Sequence, residues 1–147
     1  MNCPRRLFSL LLPAALLTLA QGPLAAQKRL TDKDLERVMT NMYNDAKKFR
    51  SSFNSSISKS TIRKTSQEKQ GKAVVEQFIK DIGDMRGEFK KKKAVSQTYP
   101  KVQAAAVQID DLLQNVHLDA STNAAWAKVR AEFQEISTAF NLPTALH

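Results

Sequence analysis

The side chains in this chain that could do chemistry are few, and their spacing narrows what they could do. There are two histidines, His117 and His147, and one cysteine, Cys3. Covalent haem attachment needs Cys-x-x-Cys-His, which a single cysteine cannot supply. Non-covalent haem ligation would have to draw on Met39 or Met42 together with His117. Those methionines, like Met85, fall on apolar stripes, where the soft unbranched side chain fills gaps in a core. A di-iron centre in a helical bundle uses Glu-x-x-His on facing helices, and the chain has no such pair. Neither a Gly-x-Ser-x-Gly elbow nor a glycine-rich phosphate loop is present. Asp110 and Asp111 are adjacent carboxylates, but neighbours on a helix point about 100° apart and do not share a site. These residues predict no enzyme, no cofactor and no metal, and no small-molecule substrate is evident.

What remains is charge. The chain carries a formal net charge of +9, and it is unevenly spread. Gln27 to Lys101 holds nineteen basic and nine acidic side chains, whereas Val102 to His147 holds two and five. The densest run is Lys90, Lys91, Lys92 and Lys93, with Lys101 nearby, and this set is the candidate anion-binding group. Lys59, Arg63, Lys64, Lys69 and Lys72 form a second basic stretch. Such a half attracts anionic partners such as phospholipid, polysaccharide or nucleic acid. It serves equally as a solvated face that keeps a protein in solution. The phenylalanines fall on the core stripes and no nucleic-acid-binding module is visible, so binding here would be independent of sequence and sensitive to salt.

The chain opens with Arg5 and Arg6, an apolar run from Leu7 to Ala20, and small residues ending at Ala25-Ala26. A positive start, a short apolar run and a small-residue cut site are the parts of a cleavable secretory signal. As a helix, Leu7 to Ala20 spans about 21 Å, less than the roughly 30 Å of a bilayer core, and Pro13 weakens it further. Cleavage is expected after Ala26, with Gly22 as the competing place. Arg5-Arg6-Leu7-Phe8 resembles the core of a twin-arginine signal, but the leucine-rich run favours the ordinary secretory route. Residues 1–26 are therefore read as a signal peptide and 27–147 as one domain, exported to the periplasm or beyond. Cys3 lies inside the signal, so no disulfide or thiolate chemistry is available afterwards.

Four segments with a helical apolar period must position whatever site exists. The first starts at Thr31-Asp32-Lys33-Asp34, resembling a capping box. It runs through Leu35, Met39, Met42, Ala46, Phe49 and Phe53 at spacings of four and three. Asn54 to Thr65 reads as a connection, with Ile57 and Ile62 either continuing the stripe or pinning the loop. Asn54-Ser55-Ser56 matches a glycosylation sequon. The second helix is expected over about Ser66 to Lys91, burying Val74, Phe78, Ile82, Met85 and Phe89, with Val75 and Ile79 widening that face or left over for dimerisation. Gly83 and Gly87, four apart, would admit a close helix neighbour or sit at the surface. After the Tyr99-Pro100 break comes a third helix with Val102, Ala106, Ile109, Leu113 and Val116. Leu118 to Asn123 reads as a turn, followed by a fourth helix with Trp126, Val129, Phe133, Ile136 and Phe140. Asn141 is placed to end it in a left-handed conformation, before Pro143. The predicted class is all-α, a four-helix bundle behind a signal peptide.

The segment from Trp126-Ala127-Lys128-Val129-Arg130 to Ile136 and Phe140, with Ile109-Asp110 and the Leu35, Phe49 and Phe53 helix, resembles uncharacterised exported helical proteins of acidobacterial type. The resemblance covers nearly all of the chain after its leader. It implies export and a small bundle closed by a tryptophan helix, and it implies no activity. The expected role is therefore non-enzymatic, an interaction or structural part of the cell envelope, whose partner is another envelope protein or an anionic surface.

Overall fold

A computed structural model of the chain describes residues 30–146. The signal peptide expected over 1–26, with Cys3, lies outside the described residues, as does His147. The described residues form four long helices: α1 (Asp32–Ile57), α2 (Ser66–Lys90), α3 (Tyr99–Asn115) and α4 (Ala120–Ala139), with a short 3-10 turn at Val95–Gln97 before α3. No strand occurs among them. None of these helices is long and apolar enough to cross a membrane.

Local chemistry sets the ends. Thr31 caps α1 in a full capping box: its hydroxyl accepts from the Asp34 amide at 3.2 Å while Asp34 reaches back to the Thr31 amide. Thr65 and Asp119 cap α2 and α4 through side-chain oxygens. Pro100 sits in the first turn of α3, where its missing N–H has no helical partner to lose. Asn141 has φ 52°, and the Leu142 amide closes onto the Ser137 carbonyl at 2.9 Å, the left-handed stop expected after α4.

The helices run up and down. α1 packs along both α2 and α4, and α2 along α3. Their apolar stripes meet in one cluster built around Phe49, Phe53, Phe78, Phe133 and Trp126. Trp126 lies between Phe49 and Phe78, with ring centroids 4.9 and 5.4 Å away. Such aromatic packing adds about 0.5–1.5 kcal/mol per pair beyond burial.

Several boundaries differ from the sequence reading. α1 continues to Ile57, because Ile57 keeps the four-residue spacing from Phe53 and is fully buried. The serines there do not break the helix: the Ser58 hydroxyl donates back to the Asn54 carbonyl at 2.8 Å. Asn54 thus sits inside a helix with its Oδ1 buried, a poor setting for a glycan. In α2 the buried face centres on Val75, Phe78, Ile79, Ile82 and Met85, whereas Val74 and Phe89 are half-buried. Val75 and Ile79 are consumed by the chain's own core, so they are not a leftover face for a dimer. α4 begins at Ala120, inside the stretch expected to be a turn, because Asp119 caps it. The close-approach glycine is Gly71, where a Cβ would meet Leu112 Cδ2 at 2.7 Å and Phe53 Cζ at 3.3 Å. Gly83 and Gly87 have room for a Cβ.

Candidate functional site

The lysine run falls where α2 ends. The Lys92 amide bonds to the Phe89 carbonyl at 2.9 Å and the Lys93 amide to the Glu88 carbonyl at 3.0 Å, a paired closure that satisfies the last carbonyls of the helix. The turn requires Lys92 at φ 55°, a left-handed conformation in which glycine would be the easier residue. This reversal swings the chain over the start of α1 and the end of α4. The result is a surface recess of about 530 Å3. Phe89, Ala94, Val95, Phe140 and Leu142 give it apolar walls, and Lys33, Lys90, Lys92 and Lys93 give it a cationic margin, together with Asp32 and Glu36. Phe89 and Phe140 meet edge to face at 6.0 Å. Lys90 is committed to Glu36, 2.9 Å away. Lys33, Lys92 and Lys93 make no ion pair among the described residues.

Of the five lysines expected to act together, Lys90, Lys92 and Lys93 line this recess. Lys91 and Lys101 are exposed and do not line it. The second basic stretch is elsewhere. Lys59, Arg63, Lys64, Lys69 and Lys72 surround the α1–α2 connection, at the opposite end of two antiparallel helices. At 1.5 Å per residue the two ends are about 35 Å apart, well beyond a Debye length. The basic half is therefore two separate patches. Lys72 in the second patch already serves Glu68 at 2.6 Å, and the Glu68 carboxyl is held below its ordinary range by that bond and by the Lys64 amide.

Two buried polar centres lie on the seams. On the α1–α4 seam Asp45 accepts from Lys128 at 2.7 Å and from Lys48 at 2.9 Å. These two bonds hold its carboxyl below the ordinary range. Burial first, and then the charge of the same aspartate, push the Glu132 carboxyl up to about 7. A carboxyl that stays protonated to near neutrality can donate to a charged neighbour. On the α3–α4 seam the Trp126 indole N–H donates to Asp110 Oδ1 at 2.6 Å, and Arg130 Nη1 lies 3.7 Å from the same oxygen. Farther along that seam Tyr99 stacks on Phe133 at 5.1 Å, and its hydroxyl lies 2.7 Å from both Ser137 Oγ and the Pro143 carbonyl.

The sequence reading did not find these centres; Asp45, Asp81 and Asp110 are each only 5 % exposed. The signal was available in the spacing. Asp45 is three residues after Met42 and four before Phe49; Asp110 is four after Ala106 and three before Leu113. Asp111, its neighbour, is exposed, as the 100° rotation requires. His117 is exposed near the α1–α2 end, whereas Met39 and Met42 are buried in the first half of α1, so the structure does not bring that pair together. Among the described residues no three His, Cys, Asp or Glu side chains are grouped to hold a metal ion.

Compared with known protein families, with curated proteins and with solved structures, the chain matches none.

Proposed function

We propose that this is an exported, non-enzymatic binding protein of the cell envelope that engages anionic ligands at its lysine-rimmed end. The observation that carries the binding reading is the recess itself: Lys33, Lys92 and Lys93 line one concavity and make no ion pair among the described residues. Lysines whose charge is not spent on ion pairs concentrate positive potential where the surface is concave. Export is supported by the sequence alone, through Arg5-Arg6, the Leu7 to Ala20 run and Ala25-Ala26. The non-enzymatic part is supported by the sequence, whose residues carry no recognised catalytic pattern.

Two measurements test this. Mass spectrometry of protein recovered from the exported fraction should give an N-terminus at Gln27; an intact Met1 there would refute export by cleavage. Retention on immobilised heparin should fall steeply with salt and be lost by about 0.5 M. Retention that ignores salt, or none at low salt, would refute an electrostatic site.

A further inference from the structure

We infer that the recess takes a single-chain anionic amphiphile, a fatty carboxylate whose head meets Lys92 and Lys93 and whose tail lies on Phe89, Val95, Phe140 and Leu142. This rests on the anionic-ligand reading above and narrows it to one chemical class.

Three observations converge. First, the two halves of the recess ask for different things. A bare anion would leave the apolar walls wet, and a neutral hydrocarbon would leave three lysines unanswered. Only a ligand carrying both answers both, and burial of tail methylenes supplies most of the driving force. Second, about 530 Å3 falls in the size class of small-molecule pockets, roughly 300–1,000 Å3. A polyanion such as nucleic acid needs instead an extended groove with stacking surfaces. Third, the left-handed turn at Lys92 that closes α2 sets Lys92 and Lys93 beside the apolar walls of the recess. The acidic residues at the margin do not cancel the charge: Glu36 is taken by Lys90 at 2.9 Å, and Asp32 is one carboxylate beside three lining lysines that make no ion pair among the described residues.

The test is calorimetric titration of the purified protein with octanoate, decanoate and laurate, each below its micelle concentration. An uncharged detergent of the same tail length and heparin serve as parallel ligands. Each added methylene should tighten binding about fourfold until the recess is full. The uncharged detergent should bind at least about tenfold more weakly than laurate, since it forgoes the charge-assisted contacts. Lys92→Gly should raise the melting temperature and yet weaken laurate about tenfold or more, a split that a purely structural lysine would not give. Ala94→Trp, at an exposed position on the wall, should block the tail, and Lys93→Glu should weaken the head without touching the core.

No laurate heat at either of two temperatures about 20 °C apart, affinity independent of chain length, or full affinity in Lys92→Gly and Ala94→Trp would each overturn the inference. A dimer by light scattering that laurate does not compete with would also overturn it, because a second copy would then be the occupant. Heparin retention without laurate binding would reject the amphiphile and keep the anionic reading; loss of both would reject both.

Discussion

At the scale of residues, Asp45 and Glu132 share one seam and make opposite demands on pH. Asp45 is held below 3.8 by Lys128 and Lys48, so its contribution is present above that value and is lost as pH falls through the lowered folded value. Glu132 is raised from 4.5 to about 7, so the folded state keeps a proton that the unfolded chain releases between those values. Its favourable contribution is complete below 4.5 and is lost as pH rises toward 7. Lys128, and Glu135 on the same helix, also act on Glu132, the first lowering and the second raising its carboxyl. Glu132→Gln should flatten the fall in stability between pH 4.5 and 7 and leave the protein more stable at pH 8, by on the order of 1 kcal/mol after solvent screening. Urea unfolding at a series of pH values checks this; a parallel shift at all pH values would contradict it. Asp110→Ala strands the buried Trp126 indole on the other seam and should cost about 2–3 kcal/mol in the same assay. Asp110→Asn, which keeps an acceptor for the indole, should cost less.

At the scale of elements, the glycines of α2 separate packing from propensity. Gly87 has nothing within 4 Å of a built Cβ, so Gly87→Ala should stabilise by up to about 1 kcal/mol through helix propensity. Gly71→Ala gains the same propensity but drives a methyl toward Leu112 and the Phe53 ring, so its thermal midpoint should not rise. Phe53 is fully buried and has little room to give. These outcomes bear on what the sequence could reveal. Four stripes of threes and fours, the Thr31 box and the Asn141 stop were legible, because helix faces and ends depend on residues a few places apart. Val75 was read as the margin of a stripe and proved central, because the angle at which α2 meets its neighbours sets which residues face inward. Gly71 gave no local sign of its role, which depends on a partner forty-one positions away at Leu112. The recess was legible only as its lysines: its walls come from the end of α2, the α2–α3 connection and the residues just after α4.

At the scale of the whole molecule, one cysteine cannot close an internal disulfide, so the bundle is held by non-covalent contacts: packing, hydrogen bonds and ion pairs. Its chemical unfolding should be the same with and without reductant, and circular dichroism should show helix without strand. A β-type spectrum would reject the fold. The protein has one tryptophan, and that residue is the indole bound to Asp110 between two phenylalanine rings. At 3 % exposure its emission is set by a buried site where α3, α4, α1 and α2 all converge. It is fourteen residues from Phe140 at the recess, about 21 Å along the axis of α4. The chain thus carries a built-in optical gauge of its own integrity, one that is blind to events at the lysine end. Ligand uptake that leaves the emission colour unchanged would be local; a red shift would mean that the seams themselves had opened.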